Sequence, residues 1–225
     1  MLTLTVPRLL IALLGVMLMV QPLSGQDWPS VASMLKTSVF RVTMNNAQGS
    51  GSCSAVVFDI TADGRAHALT AAHCITTEPN QRLDITVNDR TAQAMISNAI
   101  LDLGIVRYRP TGGTATVVLA DTTPPPGTPV VAAGFAFGVE EIVYQFGHVA
   151  QSRNRETKAL WLNMDVIFGD SGGGIFDAKG RLIGITSRIF AQGPAHLGGA
   201  VSIEDVRAFV DDYKDRLPQL EKQVR

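Results

Sequence analysis

Cysteine is nearly absent from this chain: 225 residues hold only Cys53 and Cys74. That scarcity excludes a disulfide-dense small scaffold. No CxxC or HxxxH spacing occurs, and His73 would have to share itself with the adjacent Cys74, so no metal site is expected. Excess charge of one sign is also missing, since 19 Lys and Arg face 20 Asp and Glu for a net charge of −1. An electrostatic grip on nucleic acid or on an anionic membrane is thereby excluded as an expectation. The one basic group, Arg153, Arg155 and Lys158, reads as a solvated loop. Long apolar runs are lacking too, apart from residues 9–20, which are too few to span a bilayer comfortably.

That run follows Arg8 and precedes Pro22, Ser24 and Gly25, the order of a secretory signal. Residues 1–25 are therefore expected to be a signal peptide cut after Gly25, although Leu23 is a poor residue at its position and lets the cut shift. An uncleaved anchor is the alternative. The expected destination is secreted or periplasmic, with no stable membrane insertion after signal removal. Two cysteines in an exported chain suggest a Cys53–Cys74 disulfide, against two free thiols. The remaining residues 26–225 suffice for one large domain or two small ones with real cores.

What is present is a strand-rich pattern. Short β-branched or alternating runs fall at 38–42, 55–60, 66–71, 83–87, 104–108, 130–135, 142–149, 159–164, 182–189 and 199–203. Gly, Pro, Asn and Asp punctuate them, which predicts an all-β sandwich or barrel. Val206, Phe209, Val210 and Tyr213 share one face of a predicted helix at about 203–216, capped by Ser202 and ended by Pro218. Three consecutive prolines at 124–126 cannot continue a central strand, so 122–129 reads as a linker between halves at about 31–121 and 130–216. No internal repeat at fixed period is visible.

Three motifs carry chemistry. Thr-Ala-Ala-His-Cys ends at Cys74, Asp-Leu-Gly-Ile-Val begins at Asp102, and Gly-Asp-Ser-Gly-Gly-Gly begins at Gly169. A serine hydroxyl needs a base within hydrogen-bond reach and a third group to orient that base. His73 suits the base, because an unperturbed imidazole titrates near 6.5. Asp102 opens an apolar strand, where a half-buried carboxylate wants a partner. Asp84, Asp89, Asp121 and Asp165 are its rivals, two flanking an exposed-looking strand and one abutting the proline run. Ser171 sits among glycines that permit a tight turn, and the N–H groups of Gly169 and Ser171 can converge on a developing oxyanion. The serine motif also fits the Gly-x-Ser-x-Gly elbow of α/β-hydrolases. That fold needs its acid and histidine after the serine, and here only His196 follows, so it is set aside.

Taken together, these motifs resemble the trypsin-like (chymotrypsin-fold) serine proteases over about 38–213. Residues 177–184 resemble the HtrA-like and glutamyl-endopeptidase-like branches, single-domain and without a PDZ domain. The resemblance implies two antiparallel six-stranded β-barrels with a C-terminal α-helix. It implies a His73–Asp102–Ser171 triad, an oxyanion hole at Gly169 and Ser171, and a Cys53–Cys74 disulfide bracing the histidine loop. The implied reaction is serine endopeptidase hydrolysis of polypeptide substrates without a cofactor. Segment 184–187 resembles the strand that pairs with substrate and walls the specificity pocket, which gives Ser187 and Arg188 substrate-binding roles. Asp165 lies where a carboxylate would sit at the base of that pocket and favour Arg or Lys. In bacterial relatives this position does not dictate such a preference, and His196 lining the pocket would favour an acidic side chain instead. No basic-Ile-Val-Gly-Gly segment lies near 26–36, so Asp170 is expected to find a partner other than a newly cut amino terminus. The rival functions are a catalytically silent peptide- or partner-binding protein and an esterase or acyl transferase using the same triad. Oligomeric state is not legible.

Overall fold

Turn chemistry and burial pattern explain how these residues build barrels. The structure, a computed structural model, describes residues 27–79, 81–154, 156–187 and 197–223. The expected signal segment lies outside the described residues, as do Arg188 and His196. The first element is a helix, α1 (Trp28–Leu35), that pattern reading missed. Asp27 caps it by accepting the Ser30 N–H at 3.2 Å, Pro29 occupies its first turn, and Val31 and Leu35 bury against the core. At eight residues it offers too few turns for a legible period.

The first barrel comprises β1 (Val39–Asn46), β2 (Gly49–Ile60), β3 (Ala66–Thr70), β4 (Asp84–Val87), β5 (Arg90–Asn98) and β6 (Leu103–Tyr108). It closes in the order β1-β2-β3-β6-β5-β4. Asn88 and Asp89, both with positive φ (48° and 59°), make the tight connection from β4 to β5. The second barrel comprises β7 (Pro129–Gly134), β8 (Val143–Gln151), β9 (Ala159–Asn163), β10 (Gly174–Phe176), β11 (Leu182–Thr186) and β12 (Gly198–Ser202). Its order, β10-β11-β12-β9-β8-β7, is the same ring traced in reverse. The two halves therefore share one topology without a repeat that the sequence displays. All ladder pairings are antiparallel, and closure leaves no free sheet edge in either barrel.

Two expectations need correction. The helix expected to stop before Pro218 is α2 (Ile203–Gln223), which runs through it. Leu217 and Leu220, on either side of Pro218, pack against the core, and Glu221 pairs with buried Arg107 at 3.4 Å, contacts that offset the lost proline hydrogen bond. The non-strand connection between barrels covers 109–128 and is longer than the expected linker, and Pro129 itself opens β7. That connection is tied to both halves: the Val117 N–H donates to the Val57 carbonyl and the Ala120 N–H to the Leu182 carbonyl, each at 2.9 Å.

Packing makes the barrels one body. One apolar cluster fills the first barrel around Val42, Val57 and Val106. The other joins Leu69, Leu103 and Ile105 of the first barrel to Val131, Ile175 and Ile183 of the second, with Val206 and Tyr213 of α2 and Leu35 of α1. Strand β3 is buried on both faces, because the ring of Tyr213 covers His67 at a centroid distance of 5.4 Å. Among the described residues no helix is long and apolar enough to cross a membrane.

Candidate active site

The three motifs meet in the seam between the barrels. His73 sits in a single 3-10 turn (Ala72–Cys74) just after β3. Asp102 precedes β6, and because β3 pairs with β6 at Thr70 and Gly104, the two residues leave the same end of one ladder. Asp102 holds a left-handed backbone, φ +53°, uncommon for a residue with a side chain. Its carbonyl accepts the Ala72 N–H at 3.1 Å and its Oδ1 accepts the His73 N–H at 3.0 Å, and these bonds hold the strained conformation in place.

The Asp102 carboxylate faces the imidazole with both oxygens, His73 Nδ1 lying 2.9 Å from Oδ1 and 2.8 Å from Oδ2. An ionised carboxylate only accepts, so Nδ1 carries a proton, and in the neutral imidazole Nε2 is then the basic nitrogen. Ser187 Oγ donates to Oδ2 at 2.6 Å. Burial by itself would raise the Asp102 pKa, but the hydrogen bonds from the His73 ring, the Ser187 hydroxyl and the His73 amide outweigh it and hold the carboxyl below its ordinary value. Ser187 was expected to touch substrate, and here it is bonded to the acid.

Ser171 comes from the other barrel, in the turn before β10. Its carbonyl accepts the Ser54 N–H of β2 at 2.8 Å, so the two barrels are joined at this residue. Gly172 follows with φ +83°, and a Cβ there would lie 2.3 Å from the Ser54 carbonyl. The preceding turn spans residues 167–170, where the Asp170 N–H donates to the Ile167 carbonyl at 3.1 Å and Gly169 has φ +94°. These are the marks of a type II turn, in which glycine takes the third position. The Phe168 carbonyl accepts the Phe137 N–H, which by the planarity of a trans peptide turns the Gly169 N–H to the opposite side. Among the described residues no acceptor takes the N–H of Gly169 or of Ser171. Ser54 Oγ completes the frame, donating to the Gly169 carbonyl and accepting the Phe135 N–H, both at 2.8 Å.

His73, Gly169 and Ser171 line one cleft of about 400 Å³, walled by Met44, Phe137 and Phe168. Phe137 and Phe168 are strongly exposed for aromatics, at 73% and 76%. No hydrogen bond joins His73 Nε2 to Ser171 Oγ, and such bonds commonly tighten only in the reacting complex. Cys53 of β2 and Cys74 beside His73 form a disulfide, so the histidine turn is bolted to the strand that carries Ser54. With both sulfurs bonded together, the proximity of Cys53, His73 and Cys74 offers no thiolate donor set for a metal. Asp165 is exposed after β9 and does not line the cleft. Asp84, Asp89 and Asp121, the other candidate acids, lie away from His73, with Asp84 bonded to Arg82 and Asp89 beside Arg41. Asp170 has the separate partner expected of it: Gln145 Nε2 donates to its Oδ2 at 2.7 Å. Sequence reasoning missed Ser54 and Gln145, which lie far from Ser171 in the chain and inside strands whose role depends on barrel closure.

Comparison with known proteins finds the same fold. The serine endoprotease from Yersinia pestis superposes with a TM-score of 0.67 at 17% identity, covering 83% of this chain and 66% of that one. The active form of the Rv3671c protease from M. tuberculosis gives a TM-score of 0.64 at 18% identity, covering 79% of this chain and 81% of that one. An inactive serine-to-alanine form of the same protease gives 0.64 at 18%, covering 82% and 91%. At these identities the likeness establishes the fold. No curated protein matches the chain in sequence. The sequence profile of the trypsin-like peptidase domain matches residues 50–185, more than half of the chain, and the chain thus belongs to the trypsin-like peptidases, a family of serine endopeptidases.

Proposed function

We propose that this protein is an exported endopeptidase in which Ser171, His73 and Asp102 act as nucleophile, base and orienting acid. The observation that carries the reading is the two-oxygen grip of Asp102 on His73 Nδ1 at 2.8 and 2.9 Å, which leaves Nε2 free in the cleft that holds Ser171. In the first step Ser171 Oγ attacks the scissile carbonyl while His73 Nε2 takes its proton. The imidazolium so formed is stabilised by the Asp102 carboxylate, itself kept ionised by Ser187 and the His73 amide. The carbonyl oxygen becomes an oxyanion, and the unengaged N–H groups of Gly169 and Ser171 are the donors for it. His73 then gives its proton to the leaving amine, and the acyl group remains on Ser171. Water attacks the ester with His73 again as base, releasing the acid and restoring the serine.

Export is supported by the amino-terminal apolar run and by the Cys53–Cys74 disulfide, a bond that oxidising compartments favour. Polypeptide is the substrate class, and the exposed Phe137 and Phe168 give the cleft apolar walls. A silent peptide-binding protein is the second reading, favoured by the missing bond between Ser171 and His73. Hydrolysis of an unfolded protein substrate by the purified chain, with Ser171→Ala as control, separates the two. Turnover that disappears in Ser171→Ala supports the protease. Peptide binding without turnover in either form supports the silent protein.

A further inference from the structure

Beside the nucleophile lies a buried carboxylate that the mechanism above does not use. Asp170 stands between Gly169 and Ser171 in sequence and is buried, and burial pushes its carboxyl above the ordinary value. No ion pair reaches it among the described residues. Its Oδ2 accepts two hydrogen bonds, one from Gln145 Nε2 at 2.7 Å and one from the Ile167 N–H at 3.2 Å. The second of these closes the same 167–170 turn that the Asp170 N–H closes from the other direction at 3.1 Å. The side chain is thus a brace across the turn that aims the Gly169 N–H. On its other flank Oδ1 lies close to Gly134 of β7, where a Cβ would stand 3.2 Å away, so movement toward that side is closed.

We propose that Gln145 is a positioning residue, whose amide holds Asp170 and through it sets the turn carrying the Gly169 and Ser171 N–H groups. The inference rests on the reading of Ser171 as nucleophile. A buried carboxylate left with the Ile167 N–H as its one donor seeks water, and the motion that takes Asp170 there pulls Oδ2 off that N–H and opens the turn. Gln145 is the sole side-chain donor to it among the described residues. It lies on β8 in register with Ala132 of β7, inside a closed barrel, so its amide is presented from a rigid ladder rather than from a loop. An uncharged amide does not titrate, and it is part of the folded chain as synthesised. The turn is therefore set without a cationic group produced by cleavage.

The test compares the native protein with Gln145→Met, which keeps the length of the side chain and removes the donor, and with Gln145→Lys, which restores one. Gln145 is half-buried, so the slightly larger Met and Lys side chains have solvent to extend into. The readouts are the rate at which a fluorophosphonate modifies Ser171, kcat and KM on a peptide substrate, and the melting temperature. Loss of one hydrogen bond to a carboxylate predicts a fall of about 10- to 100-fold in labelling rate and kcat for Gln145→Met, with KM within about twofold. Gln145→Lys recovers most of the loss, and Gln145→Met stays folded at the assay temperature with its melting temperature lowered by only a few degrees. If Gln145→Met does not fold, Gln145→Leu takes its place, close to glutamine in size, uncharged and without the donor. Labelling of the folded donor-less variant at the native rate, or a loss that Gln145→Lys does not recover, overturns the inference while the nucleophile stands. No adduct on Ser171 of the folded native protein overturns the nucleophile, and the inference with it.

Discussion

Removing one hydroxyl, in Ser54→Ala, separates the contribution of the barrel seam from that of the triad itself. Ser54 is fully buried, and its Oγ serves two backbone groups from the other barrel, the Gly169 carbonyl and the Phe135 N–H, each at 2.8 Å. Gly169 and Phe135 are themselves buried, so neither finds water when the hydroxyl goes. Each unsatisfied buried group costs about 1–3 kcal/mol. The small gain from a buried methyl does not cancel two such losses, and the expected destabilisation is about 2–5 kcal/mol. Against a typical total of about 5–15 kcal/mol this is a large share. Urea unfolding followed by tryptophan fluorescence measures it, with the midpoint falling and the slope unchanged because the surface exposed on unfolding is the same. The backbone bond from Ser54 N–H to the Ser171 carbonyl does not depend on the hydroxyl and is retained. A loss under about 0.5 kcal/mol, the ordinary scatter of a surface change, would refute the claim that this hydroxyl satisfies the seam.

Three other outcomes follow from the same geometry. Gly172→Ala places a Cβ 2.3 Å from the Ser54 carbonyl at φ +83°, so soluble yield and melting temperature should drop sharply, and near-native melting would contradict the packing described. Replacing Cys53 and Cys74 together by serine opens a loop with sequence separation 21, which should cost roughly 3 kcal/mol in urea unfolding on the chain-entropy model. Asp102 has a folded-state pKa below its ordinary 3.8, so its contribution to stability is complete above pH 3.8 and is lost as pH falls through the folded-state value. The stability difference between native protein and Asp102→Asn should therefore narrow on acidification below that point, and a difference independent of pH would contradict the assigned hydrogen bonds.

The fold was legible where side chains alternate or where a run is largely apolar, as in β6 and β7, and where three prolines broke the chain. Strand β5, with exposed Arg90 and Thr91 and no buried residue beyond them, was passed over because its apolar content is low and its pairing is supplied by β4 and β6. Strand β10 was hidden inside the glycine-rich serine motif, since three residues cannot show a period. Strand β2 begins at Gly49, within a Gly-Ser stretch that reads as a turn, and its ladder to β1 decides otherwise. The gathering of His73, Asp102 and Ser171 at one cleft was legible because local motifs mark each of them. The frame around them was not. The bonds of Ser54 to Gly169 and of Gln145 to Asp170 join residues 115 and 25 positions apart, and only barrel closure brings them together. The left-handed Asp102 and the type II turn at Gly169 likewise depend on neighbours that the local sequence does not contain.

The measurement that bears most directly on the central claim is covalent labelling of the folded protein by a fluorophosphonate, with the adduct located by peptide mass spectrometry and Ser171→Ala alongside. The account predicts a single adduct on Ser171, absent from Ser171→Ala and strongly slowed in Asp102→Asn, where the imidazole loses the carboxylate that fixes its tautomer. A well-folded native protein that takes up no label, or takes it up at a serine other than Ser171, would contradict it.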